Sequence, residues 1–261
     1  MIRRPLILTY GILCYVVFLA SFVYAVGFLG GFLTPTRLDG PRQGSLAAAL
    51  AIDVGLLVLF AVQHSGMARP GFKRWMTRFI PRSAERSTYV LLSSAALFVL
   101  FWQWRPLGGV VWEVPGGLER AAVFVVFAAG WLMVLVATSL INHFDLFGLR
   151  QAWLEYRAVP YTPLQFTTPG LYRLIRHPLY VGWLTVFWAA PTMTFTHLLF
   201  TVGMTAYILT AIRWEERDLI AAHPEYAVYR RRVPMLLPHL RVGPSPRPHA
   251  STSTSSVDGG G

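Results

Sequence analysis

The chain has 261 residues, 54% of them hydrophobic and only 13% charged, with a formal net charge of +11 at pH 7. A soluble domain usually carries about 25% charged residues, so this depletion, with its long uncharged runs, excludes an ordinary soluble fold and points to an integral membrane protein. The basic excess then reads as the positive-inside bias of cytoplasmic loops and not as a nucleic-acid surface, and the single cysteine, Cys14, excludes an internal disulfide, a CxxC redox pair or a thiolate metal cluster.

Six apolar segments follow one another, at roughly 6–29, 45–66, 87–105, 119–141, 178–190 and 193–213. The first stands behind a basic MIRRP start, as a signal peptide would, but its uncharged run from Pro5 to Thr36 is too long for one and reads as a transmembrane helix. The first four segments each approach the ~20 residues that cross a bilayer core. The last two form one run from Pro178 to Ile212, about 50 Å as a straight helix, and Pro191 breaks it into a hairpin. The expected fold is an all-α polytopic membrane helical bundle with about six apolar segments, the last two a helical hairpin, followed by a cytoplasmic C-terminal helix. A single membrane domain covers 1–240, with its cofactor part at about 142–238, and a tail at 241–261 has the composition of a disordered segment.

Arginine and lysine set the orientation. Loop 67–86 holds Arg69, Lys73, Arg74, Arg78, Arg82 and Arg86, the stretch 142–177 holds Arg150, Arg157, Arg173 and Arg176, and the C-terminal part holds Arg230, Arg231 and Arg232. Loops 30–44 and 106–118 are poorer in basic residues, so both termini and most of the polar chemistry are expected on the cytoplasmic side.

Asp53 lies inside the second segment, where an intramembrane carboxylate is a functional candidate by default. His64 follows 11 residues later, about three turns on, so it shares roughly the same face. His143 and Asp145 close the fourth segment, where Asp145 also suits a cap or turn. In RHPLY, residues 176–180, Pro178 fits a first helical position and leaves free backbone N–H groups for an anionic ligand, beside Arg176, His177 and Tyr180. Gly182 permits close approach of a ligand or a helix. The alternative for this stretch is an interfacial anchor of arginine and tyrosine. RWEERDLIAAHPEYAVYRRRVP, residues 213–234, returns Glu215 and Glu216 to the same surface, as ligand-binding acids or as the acidic side of an amphipathic helix. Arg150 and Gln151 are further candidates for a ligand carboxylate. Trp183 or Trp188 is either core packing or a cation–π partner. His197, near the hairpin turn, is assigned no role.

RHPLYVGW, an apolar hairpin and EERDL…YAVYRRRVPMLLP together resemble the C-terminal half of the isoprenylcysteine carboxyl methyltransferase superfamily, over roughly residues 165–238. QHSGMARPGFKRW (63–75) and PRSAERSTYVLLSS (81–94) are similar to its NnrU-like branch, and NHFDLFGLRQAWLEYR (142–157) with YTPLQFTTPGLYRLIRHPLY is similar to the bacterial methanethiol S-methyltransferases. The resemblance implies S-adenosylmethionine as methyl donor, with Tyr172, Arg176, His177, Tyr180, Gly182, Glu215 and Glu216 around it, and methylation of methanethiol, a small volatile thiol, to dimethyl sulfide. A sulfonium and a thiolate give two neutral products, so a dry pocket favours the transfer. The thiolate is the nucleophile, which makes His64, His143, Asp145 and Asp53 the candidates for taking its proton. Neither metal nor nucleic acid is expected as a partner. Three rival readings remain: a methyltransferase acting on a lipid, a prenyl-cysteine or an amine; a haem-binding electron carrier using His64, His143 and His177; and a permease-like or scaffold protein, against which the polar residues cluster on one side only.

Overall fold

The protein, seen in a computed structural model that describes residues 2–238, is built from helices with one short ribbon of strands. The tail expected at 241–261 lies outside the described residues. Five helices are long and apolar enough to cross a membrane: α1 (Arg3–Gly30), α2 (Leu46–Ala68), α4 (Arg82–Gln103), α5 (Leu118–Ile141) and α9 (Phe195–Ala222). Short helices α3 (Pro70–Met76), α6 (His143–Leu146) and α7 (Leu149–Tyr156) link them, and α8 (Pro178–Trp188) and α10 (Tyr226–Arg232) flank α9. Their outward faces carry apolar side chains such as Val23, Val62, Val125 and Leu132, each more than 60% exposed. Apolar exposure of that kind on several helices is tolerable against lipid and not against water.

Local chemistry explains the boundaries. The Ser45 hydroxyl accepts the Ala48 N–H at the start of α2, and Gly31 closes α1 in a left-handed conformation. Pro70 and Pro178 open α3 and α8, where a missing N–H costs nothing. Pro191 ends the first arm of the hairpin, and Thr192–Thr194 (β2) then pairs antiparallel with Val110–Glu113 (β1) from the loop before α5. Thus α8 runs from the end of the bundle where α5 finishes toward the ribbon, and α9 runs back.

The first arm of the hairpin matches the expected segment within two residues, and the second runs nine residues further than expected. The first is a helix of 11 residues, about 16 Å long, which is half of a bilayer core. The second continues as one helix of 28 residues, so Glu215 and Glu216 sit on its last turns and not on a separate element. The short arm fixes depth. α8 packs on α5 at Gly182, where an added Cβ would lie 2.8 Å from Val134 Cγ2 and 3.0 Å from the Gly130 carbonyl oxygen. Running antiparallel from that contact, Pro178 lies about 6 Å beyond Gly182, level with the stretch near Ala137 and about 7 Å short of the α5 terminus. The RHPLY turn is therefore recessed below the surface reached by α5.

The core is an aromatic and aliphatic cluster that includes Phe28, Leu100, Phe101, Phe127, Trp131, Val186, Phe187, Phe200 and Ile212. A smaller one, Met67, Met76, Tyr89 and Val90, closes the end that carries the arginine-rich loop.

Candidate functional site

Glu216 is the hub of the recessed turn. Its Oε1 receives Arg176 Nε at 2.7 Å and lies 3.1 Å from His177 Nε2, while its Oε2 pairs with Arg230 Nε at 3.0 Å. The Tyr226 hydroxyl also donates to Oε1, at 3.4 Å. Glu216 and His177 side chains are 5% exposed and Arg176 9%. Arg176 donates in addition to the carbonyls of Arg230 and Val233, so the chain after α10 is strapped over the start of α8. The backbone completes this strap: the N–H groups of Arg176 and His177 donate to the Pro234 and Met235 carbonyls, and those of Tyr180 and Val181 to the His177 carbonyl. The helix start expected to offer free N–H groups to an anion spends these four internally.

Around this hub the candidate residues separate. Tyr180 donates its hydroxyl to Glu215 at 2.7 Å, joining α8 to α9 one turn from the hub. Tyr172, in the turn before α8, donates to the Ala137 carbonyl, and the Tyr229 hydroxyl donates to the Tyr172 carbonyl at 2.6 Å. Burial pushes the Tyr229 phenol up to about 12, so it serves as a hydrogen-bonding group and not as an acid. Gly182 faces α5, where an added Cβ would run into Val134 and the Gly130 carbonyl. Arg150 is paired with Asp145 at 2.7 Å and bonded to the Thr162 carbonyl, and the Gln151 amide donates to the Asp145 carbonyl. Asp145 is thereby tied into its own loop, with the Tyr161 hydroxyl on its other oxygen.

Two histidines stand near the same end of the bundle. His64 on α2 has the Ser93 hydroxyl 3.2 Å from Nδ1 and the Tyr89 hydroxyl 2.9 Å from Nε2, and it stacks on Phe60. One residue on, Ser65 bonds Tyr207 of α9 at 3.0 Å. His143 is placed by a backbone device. Asn142 holds φ at +147°, a region L-residues rarely adopt, ends α5 and folds the ring back along it. The Thr138 hydroxyl donates to the Leu135 carbonyl and so accepts from His143 Nδ1, 3.0 Å away; this leaves Nε2 as the acceptor for the Tyr15 hydroxyl at 2.8 Å. Burial holds the His143 imidazolium below its ordinary range, so the ring stays neutral near pH 7. It borders an open depression of about 560 Å³ lined by Ser139 to Phe144.

Asp53 does not join either histidine. It is fully buried, accepts the Arg105 backbone N–H at 2.9 Å just beyond the end of α4, and lies about 16 Å along α2 from His64. Its partner is a backbone amide and not the side chain of that arginine. Trp183 packs on Trp131 and Phe187, and Trp188 donates to Thr205. His197, near the ribbon, bonds Asp39 and the Phe187 carbonyl and holds the turn of the hairpin.

Sequence reasoning did not single out Tyr226 and Arg230 of the hub, Tyr89, Ser93 and Tyr207 near His64, or Tyr15 and Thr138 at His143. Only Arg230 carried a signal, as the first of three consecutive arginines on the helix that follows the acidic pair.

A bundle of apolar helices with a buried acid–arginine–histidine hub and two neutral-capable histidines near one end defines a membrane-embedded polar site. Residues 54–236 match the family described as NnrU protein, and the chain belongs to that family. It is 54% identical over 240 residues to the methanethiol S-methyltransferase of Crocosphaera subtropica, covering 92% of this chain and 94% of that one. It is 51% identical over 237 residues to the methanethiol S-methyltransferase of Mycobacterium tuberculosis, covering 90% and 97%. A more distant relative is nurim of Sus scrofa, 34% identical over 230 residues, covering 77% of this chain and 87% of its own. No solved structure matches the chain.

Proposed function

We propose that this protein is a membrane methyltransferase that methylates methanethiol to dimethyl sulfide with S-adenosylmethionine as donor. The observation that carries the reading is identity of about one half, over nine tenths of both chains, with relatives named methanethiol S-methyltransferase.

The residues fit such a donor. Among the described residues, Gln63 Oε1, Glu85 Oε1 and Gln151 Oε1 are buried acceptors without a partner. Acceptors of that kind, like the carboxylate of Glu215, suit a ligand that is rich in N–H and O–H groups and carries positive charge. When bound, the donor supplies an electrophilic methyl group on a sulfonium. The protein's part is to hold it beside the recessed turn, where Tyr180 aims Glu215 and the Arg176–Glu216–His177 hub fixes the start of α8. The depth of that turn keeps water away, which favours a reaction in which opposite charges cancel. His143 or His64, each hydrogen-bonded near this end of the bundle, takes the thiol proton. A haem carrier is disfavoured, because both ring nitrogens of His143 are already engaged and His177 is held by Glu216. Purified protein given S-adenosylmethionine and methanethiol is expected to form dimethyl sulfide and S-adenosylhomocysteine in equal amounts; product absent under conditions where the donor binds would defeat the reading.

The sidedness follows from the arginine-rich loops. We place α3 and the α6–α7 stretch in the cytoplasm, at the plasma membrane, and the β1–β2 ribbon outside. With Cys14 replaced, a cysteine at Gly116 is expected to react with an impermeant maleimide added to intact cells and one at Gly71 to stay protected; a Cβ at Gly116 meets nothing within 4 Å, and at Gly71 only the tip of Arg74. The reverse labelling pattern would invert the topology.

A further inference from the structure

Among the described residues, the buried side-chain nitrogen and oxygen atoms without a partner are four acceptor oxygens and one donor, Trp131 Nε1. Trp131 is 6% exposed in the middle of α5. Rings surround it edge to face: Phe22 at 4.9 Å, Trp183 at 5.1 Å and Phe127 at 6.1 Å between centroids. A donor unpaired among hydrocarbon costs more than a made hydrogen bond returns, and phenylalanine would fill such a place without that cost.

The box touches both parts of the candidate site. Trp183 stands one turn after Tyr180 on α8, whose hydroxyl holds Glu215. From Phe22, ring contacts continue through Phe18 to His143. On α5, Trp131 is two turns from Thr138, the partner of His143 Nδ1.

We infer that this aromatic box is the thiol subsite, and that Trp131 Nε1–H donates to the sulfur of methanethiol. The inference rests on the proposed thiol methylation. Methanethiol is one methyl group and one sulfur, so it offers an apolar surface to the rings and a single acceptor to the single donor. Sulfur beside aromatic ring edges is a favourable contact, and the bond to Nε1–H strengthens as the sulfur becomes anionic.

The test uses the full-length protein in nanodiscs with indole-¹⁵N tryptophan, loaded with S-adenosylhomocysteine. The indole signal missing from Trp131→Phe is expected to move when methanethiol is added to the unsubstituted protein. In turnover, Trp131→Phe is expected to lower kcat/KM for methanethiol about 10–100-fold, the range for a charge-assisted hydrogen bond, with the calorimetric Kd for the donor unchanged. Trp131→His, which keeps a ring N–H, is expected to recover part of the loss. A Trp131 signal indifferent to saturating thiol, an unchanged kcat/KM, or a donor Kd that rises in parallel with the loss would each overturn the assignment. If Trp131→Phe does not fold, the histidine variant identifies the signal in its place. Failure of the parent reading looks different: no dimethyl sulfide forms with the unsubstituted protein.

Discussion

Glu216→Ala is expected to lower the stability of the folded bundle by about 3–5 kcal/mol, the usual cost of removing one partner from a buried ionic network. The size follows from what is left behind. Arg176, nearly inaccessible to solvent, loses its counter-charge, the equally buried His177 loses its hydrogen-bond partner, and the strap that Arg176 makes to the carbonyls of Arg230 and Val233 loses its anchor. Thermal unfolding in detergent would show the loss as a large drop in midpoint, and S-adenosylmethionine binding should fail with it, because the strap closes the recessed turn. Glu215→Ala is the contrasting case. Glu215 is held by the Tyr180 hydroxyl, so its removal should cost about 1 kcal/mol of stability while still weakening the donor. An alanine at 216 that melts like the unsubstituted protein would mean that water reaches these charges and that the hub does not hold the fold.

The contrast between the two glutamates was not legible in the sequence. EER reads as two neighbouring acids at a membrane boundary, and only the helix phase of α9 turns one into the hub and the other toward Tyr180. The long helices were legible, because hydrocarbon demands an unbroken apolar run and Pro191 marks where the hairpin turns. The end of α8 was legible too: Pro191 disfavours helix at the residue before it, and α8 stops at Trp188, two residues short of the expected 190. Asp53 shows the limit of periodicity in another way. Eleven residues do bring it to the face of His64, but three turns also carry it away along the axis, to a backbone amide at the other end. Gly182 could be read for ligand or helix from the sequence, and the close approach of α5 at Gly130 is visible only in the fold.

The proton of the thiol gives the second large effect. Even the more acidic cysteine thiol has a pKa of about 8.5, so methanethiol arrives mostly protonated at neutral pH. An enzyme that waited for free thiolate would gain tenfold in kcat/KM per pH unit without needing any residue. A histidine base changes the shape of that profile, because the rate rises only while the imidazole is being deprotonated. Burial lowers the His143 pKa from its ordinary value near 6.5. Lowering the pKa of a base moves the end of the rise to lower pH, so the plateau is expected to begin below about pH 6.5 and extend through neutrality. The Nδ1–H held by Thr138 fixes the tautomer, and the lone pair on Nε2 faces Tyr15, which can pass a proton to it. His143→Ala is then expected to lower neutral-pH kcat/KM by roughly 10²–10⁴-fold and to restore the steep rise with pH, at nearly constant donor affinity. If His64 is the base instead, with Tyr89 in the place of Tyr15, the same signature should follow His64→Ala and be absent at His143. Near-normal turnover at pH 7 in both variants would rule out a histidine base. Deprotonation would then fall to thiolate stabilisation within the aromatic box, where Trp131 is the one unpaired donor among the described buried side chains.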